Sequence, residues 1–153
     1  MLVNLTPHAL LFTIAAIGIS EASYLIRKRI AAERPVCPIG GGCEQVLNSK
    51  YNSLILGIHN DLLGMLFYVG AAIIAGLIVI YDGNPGVLSG LLEDNPQPLL
   101  ALALEAMLLG ATAMSAIFTY LQWKVIKAWC FWCLMSAATI AIMDIIVITS
   151  KLI

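Results

Sequence analysis

Residues 130–150 read CFWCLMSAATIAIMDIIVITS: two cysteines spaced by two residues, then an apolar run whose one charged residue is Asp144. A membrane-spanning helix takes about 20 mostly apolar residues, and Phe131–Ser150 meets that length. Three further stretches do the same: His8–Ile26, Leu62–Tyr81 and Leu99–Leu121. The chain is therefore predicted to be an all-α, integral membrane four-helix bundle with a cysteine-containing loop between its first two spans. The spans, about 8–26, 62–81, 99–121 and 131–150, leave no room for a second core, so residues 1–153 are expected to form a single domain. Composition excludes a soluble globular class: the 153 residues are 61% hydrophobic and 11% charged, with mean hydropathy +0.95. The first apolar stretch has no Lys or Arg before Arg27 and no clear small-residue cleavage site. It reads as a retained span rather than a signal peptide.

The net charge of −1 is uninformative, and no nucleic-acid partner is expected; the distribution of charge says more. Seven of the eight basic residues (Arg27, Lys28, Arg29, Arg34, Lys50, Lys124 and Lys127) follow the first and third spans, whereas segment 82–98 carries only Asp82, Glu93 and Asp94. Lys/Arg bias in short loops sets orientation, so this face is expected to be cytoplasmic in a multi-pass membrane protein. All four cysteines lie on the same face. Disulfides are rare in the cytosol, intracellular proteins of hyperthermophiles being the known exception. The alternative is an extracytoplasmic face with the charge signal overridden.

The long connection, 30–61, holds Cys37-Pro38-Ile39-Gly40-Gly41-Gly42-Cys43. Three consecutive glycines let the backbone fold until the two Cα atoms reach the ~4.4–6.8 Å that a disulfide requires. Residues 43–48 are helical enough for a turn or two, Asn48–Ser53 breaks that run, and Leu54–Ile58 is apolar enough to rest on the membrane surface. Segment 82–98 opens with Asp82-Gly83-Asn84-Pro85-Gly86 and closes with Asp94-Asn95-Pro96-Gln97-Pro98, both turn chemistry. Cys130 and Cys133 stand where the last span begins, and unpaired N–H groups at a helix N-terminus stabilise a thiolate. Two spaced pairs at one membrane face point to dithiol–disulfide exchange. Buried cysteines acting as small hydrophobes, and a zinc site made from all four, are the bland alternatives.

The order Cys37-x5-Cys43-x5-Ser49, then Gly57…Gly64-Met65-Leu66-Phe67-Tyr68, then Cys130-x2-Cys133 opening the last span resembles the vitamin K epoxide reductase (VKOR) family. The resemblance covers about residues 8–150 and is to a stand-alone prokaryotic-type homologue. It implies a four-helix bundle around a quinone of ubiquinone or menaquinone type, with Cys130/Cys133 as the active-site pair and Cys37/Cys43 as a shuttle. By the same resemblance Cys133 faces the quinone and Cys130 exchanges with a loop cysteine. Ser49 matches the family's loop serine. Asn60, eight residues before Tyr68, aligns with the asparagine that contacts the quinone carbonyl in the vertebrate enzymes. Those enzymes carry a tyrosine four residues after the CxxC; here that position is Ala137, which favours plain quinone reduction over epoxide reduction. Many bacterial relatives carry a fused thioredoxin-like domain. This chain ends at Ile153, so a separate thioredoxin-like partner is expected.

The expected function is thus a membrane thiol oxidoreductase passing electrons from that partner through Cys37/Cys43 to Cys130/Cys133 and on to a quinone. A cysteine-stabilised or metal-binding bundle without redox catalysis is the alternative, although no metal is expected. Trp132 is expected to wall the quinone pocket and His59 to stand at the membrane edge in support. Asn60 and Asp61 open the second span, where helix capping alone would explain either. Trp123, Trp129 and Trp132 form an interfacial belt, and Arg27-Lys28-Arg29 anchors topology. Glu21, Glu105 and Asp144 lie within spans and are functional candidates on that ground; for Glu105 and Asp144 a shared proton or a helix–helix hydrogen bond suffices.

Overall fold

A computed structural model describes residues 5–39, 41–53, 57–83 and 97–152. Gly40, the surface segment 54–56 and the turn-rich stretch 84–96, including Glu93 and Asp94, lie outside the described residues. Four long helices form the bundle: α1 (Leu5–Ile30), α3 (Asn60–Gly83), α4 (Gln97–Tyr120) and α5 (Phe131–Leu152), with the short α2 (Cys43–Leu47) and a 3₁₀ turn (Lys50–Ser53) between α1 and α3. The stretches long and apolar enough to cross a membrane are Pro7–Ile30, Asn60–Tyr81, Pro98–Ile126 and Phe131–Ser150. The third helix runs past the expected end at Leu121 because a π-helical turn, Leu121–Ile126, continues it.

The membrane supplies no hydrophobic drive for helix to meet helix, so close approach through small residues takes its place. α1 and α3 pack along most of their length. Ala15 of α1 and Ala71 and Ala75 of α3 are wholly buried, and Leu11, Leu104, Leu108, Ile140 and Met143 complete the core. Large apolar side chains such as Leu66, Ile73, Leu109 and Ile145 point outward, as lipid-facing positions do. Tyr68 is the largest fully buried side chain. Its ring lies on Gly18, where an added Cβ would stand 2.3 Å from the ring.

Alanine at position 18 therefore has no room unless Tyr68 leaves its place. Gly18→Ala is expected to lower stability by about 1–3 kcal/mol, read as thermal unfolding of the detergent-solubilised protein. Gly110→Ala, where an added Cβ meets nothing within 4 Å, should show no comparable loss.

Candidate functional site

The bundle's cysteine face is built around the loop after α1. α1 closes at Ala32, which takes a left-handed conformation (φ 54°) while Glu33 N–H bonds back to Lys28 C=O at 2.9 Å. The next residues are held by two stacked aromatics, Tyr24 and Trp132, with ring centroids 4.5 Å apart. Val36 N–H donates to the Tyr24 hydroxyl at 3.0 Å, and Trp132 Nε1–H donates to Val36 C=O at 2.8 Å. This fixes the chain one residue before Cys37. Cys37 and Cys43 are disulfide-bonded with Cα atoms 6.0 Å apart. Gly41, at φ +63°, supplies the reversal that brings them together. Gly42 matters for close approach instead, since a Cβ there would stand 2.8 Å from Trp129 C=O and 3.0 Å from Ala128 Cβ. Its missing side chain lets the loop lie directly on the chain leading into the CxxC. Cys43 and Val46 are thereby buried against Ala128 and Cys130 in one cluster, with Cys37, Trp132 and Cys133 around it.

The CxxC is positioned from beneath by the end of α4. The π-helical turn finishes at Lys127 in a left-handed conformation (φ 55°), and Ala128 N–H returns to Gln122 C=O at 3.2 Å. The Gln122 side chain, 1% exposed, accepts the Cys130 N–H through Oε1 at 2.8 Å. Cys130 is fully buried and Cys133 partly so, and both are free thiols. The Cys130 thiol is pulled down to about 7, first by a hydrogen bond with the Cys133 side chain and then by the backbone N–H groups of Cys133 and Trp132, against the opposing effect of burial. A CxxC at the start of a helix thus favours the thiolate at its first cysteine.

Among the described residues, three cavities near this cluster share lining residues. An apolar one, of about 320 Å³, lies between α3, α4 and α5. Leu63, Phe67, Met107, Met114, Phe118 and Ile140 give it apolar walls, while Asn60, Ser115, Ser136 and the Cys133 thiol supply its few polar groups. Behind it lies a small cavity of about 30 Å³ bounded by Glu21, Asn52, Asn60, Asp61, Tyr68, Cys133 and Ser136, among others. A third, also about 320 Å³, lies among charged residues of the loop, including Lys28, Arg29, Glu33, Arg34 and Glu44. Asn52 and Asp61 face both the second and the third. Asp61 accepts from Arg29 Nε at 2.7 Å, an ion pair that ties α1 to α3. Lys28 pairs with Glu33 at 2.6 Å and holds the Glu33 carboxyl below its ordinary range.

The expected residues divide accordingly. Cys37, Cys43, Cys130 and Cys133 share one face and one cluster. Asn60 lines both the apolar and the small cavity, and its side chain caps no helix; the start of α3 is closed by His59 C=O, which accepts from Leu62 and Leu63 N–H at 3.0 and 3.1 Å. Trp132 lines the small cavity together with Cys133 rather than the large apolar one, and its indole clamps the loop. Ser49 donates to Val46 C=O at 2.7 Å and closes α2 rather than facing the cysteines. His59 Nδ1 is buried with no hydrogen-bond partner among the described residues. Asp144 accepts from Thr112 of α4 at 2.5 Å, a helix–helix hydrogen bond. Gln122, Tyr24 and the pairing of Tyr68 with Ser136 and of Arg29 with Asp61 do not stand out in the sequence, and Gly42 does so only as one of a triplet. A glutamine eight residues before a CxxC, and a serine three residues after it on the same helical face, are the available signals.

The thiolate of Cys130 should appear as ultraviolet thiolate absorption with a midpoint of about 7 when the CxxC is reduced and the loop disulfide is kept. A depressed thiol is ionised above that midpoint and protonated below it, so attack by Cys130 should slow as pH falls through it. Cys133→Ala removes the largest stabilising contact and should move the midpoint upward; an unmoved midpoint would show that the contact does not govern it.

A family model described as the vitamin K epoxide reductase family matches residues 9–148. Among curated protein sequences, none matches the chain. The span matched takes in all four long helices and both cysteine pairs, and the chain therefore belongs to the vitamin K epoxide reductase family of membrane redox enzymes.

Proposed function

We propose that this membrane redox enzyme is a quinone-coupled thiol oxidoreductase that makes disulfides in a separate thioredoxin-like partner. One observation carries the proposal. Cys133 opens onto an apolar cavity between membrane helices, while Cys130, its neighbour in the CxxC, packs against the loop disulfide. Two thiols three residues apart thus have two different neighbourhoods, a buried disulfide and an apolar cavity.

The steps balance as ordinary thiol–disulfide exchange. A partner thiolate attacks the Cys37–Cys43 disulfide, the mixed disulfide is resolved by the partner's second thiol, and the loop is left as a dithiol. The loop dithiol reduces the Cys130–Cys133 disulfide in the same way, and the short path from Cys43 to Cys130 through the buried cluster favours this transfer. The CxxC dithiol then gives two electrons to the quinone and closes again as a disulfide. Each ~30 mV of potential difference is worth ~1.4 kcal/mol for two electrons, so a high-potential quinone draws the relay toward disulfide formation. The cavity suits such a substrate: apolar and aromatic walls take the ring and tail, and the Asn60 amide stands at the same wall as the Cys133 thiol. We propose further that the cysteine face is cytoplasmic, on the strength of the Lys/Arg count.

Purified protein given a reduced thioredoxin-like donor and a short-chain ubiquinone should turn over both. Cys133→Ala should lower quinone reduction by roughly 10³-fold, and full activity in that variant would remove Cys133 from the assigned role. Orientation is read separately by a membrane-impermeant maleimide applied to intact cells after reduction. Cys37, only partly buried, should stay unlabelled until the cells are opened; labelling from outside would reverse the orientation.

A further inference from the structure

Glu21 lies in the middle of α1, in a membrane span, and is 8% exposed. Its Oε1 is contacted by the Thr139 hydroxyl at 3.5 Å, and its Oε2 is buried with no hydrogen-bond partner among the described residues. No Lys, Arg or His borders the small cavity that this carboxyl faces. An unpaired carboxylate buried at membrane depth is costly enough that the group carries a proton instead.

The cavity has room for a single water, at about 30 Å³, and polar groups to hold one. On its inner side Asn60, Cys133 and Ser136 border both it and the apolar cavity, and Ser136 Oγ is 2.7 Å from the Tyr68 hydroxyl. On its outer side Asn52 and Asp61 border the charged cavity of the loop. Glu21 thus borders a small cavity that shares polar lining residues with the charged cavity on one side and with the apolar cavity on the other.

We propose that Glu21 is the proton-relay residue for the acceptor in the apolar cavity, a role that rests on the quinone reading above. Cys130 and Cys133 leave as a disulfide, and the two electrons freed by that bond go to the acceptor. With Cys130 entering as thiolate and Cys133 as thiol, the pair brings one proton, and the reduced acceptor needs two. Glu21 gives the second through the hydroxyl of Ser136 or a water beside it. The carboxylate so formed takes a proton back from the charged cavity, past Asn52 and Asp61. The titratable groups facing Glu21 are Asp61 and Tyr68 from α3 and Cys133 from α5, with Arg29 holding Asp61 from α1; no α4 residue borders the small cavity among the described residues. Glu21 touches neither sulfur nor acceptor in this scheme and acts through Ser136.

The test uses the full chain, pre-reduced, mixed once with a short-chain ubiquinone at pH values between about 6 and 9. Above the Cys130 midpoint of about 7 the wild type should slow as pH rises and Glu21 loses its proton. Glu21→Gln should be slower by roughly 10²-fold and should lack that alkaline fall, keeping only the loss on the acid side as Cys130 is protonated, and Glu21→Asp should recover the alkaline fall. Infrared difference spectra give a readout that needs no quinone: a protonated-carboxyl band in the wild type, absent from Glu21→Gln. Exchange between the loop pair and the CxxC should stay unchanged in Glu21→Gln. A Glu21→Gln variant with the wild-type rate and profile, or with the carboxyl band retained, overturns the assignment. So does loss of loop exchange together with quinone reduction, which would mark a structural role. A wild type that reduces no quinone at all overturns the quinone reading itself, a separate outcome.

Discussion

The contact between Gly42 and the backbone of residues 128 and 129 sets the geometry of the cysteine face. A loop that leaves one membrane helix and returns to another can settle near bilayer depth only where protein covers it, because its backbone polar groups have no partner in hydrocarbon. The missing Cβ at position 42 lets that loop lie on the entry to α5, and the buried cluster of Cys43, Val46, Ala128 and Cys130 follows. The Tyr24–Trp132 pair then fixes the loop on the other side of Cys37, and Gln122 fixes the CxxC from below. The loop disulfide is thus held from two sides, and the CxxC beneath it from a third.

In the proposed relay this arrangement keeps the two ends apart. Charged side chains line the loop's own cavity, whereas Cys133 borders an apolar wall. Cys130, fully buried, packs against Cys43 in a cluster that Cys133 touches from the side of the apolar cavity. Its lowered thiol fits that position, since the nucleophile in each exchange is the thiolate. The geometry discourages direct contact between an aqueous reductant and a membrane-soluble oxidant, and so favours passage through the protein's own disulfides.

Sequence patterns disclose the helices and the cysteines because both are local signals. Runs of about 20 apolar residues, a CxxC at a span entrance and a glycine triplet between cysteines can each be read in a single window. The family resemblance points to Asn60 as well, and Asn60 and Cys133 both line the apolar cavity. What escapes depends on residues distant in the chain. Gln122 reaches Cys130 only because a π-helical turn and a left-handed Lys127 redirect the chain, and neither has a sequence signature. Arg29 reads as one of three topology charges until the fold brings it to Asp61, 32 positions away. The hold of the Trp132 indole on Val36 likewise spans 96 positions. Glu21 is visible as a charge in a span, yet its cavity arises only when α1, α3 and α5 meet.

The rim of the apolar cavity has a consequence for how the enzyme meets its substrate. Ala106 and Gly110 border the cavity and are exposed on α4, well inside a membrane span. On the quinone reading the mouth faces acyl chains, and a lipophilic acceptor would arrive by lateral diffusion in the leaflet. The concentration that governs occupancy is its mole fraction among lipids. An apparent KM expressed per litre of buffer would then rise with the amount of lipid or detergent added, although the site itself is unchanged. In the cell, the size and composition of the bilayer pool would set how often the cavity is filled.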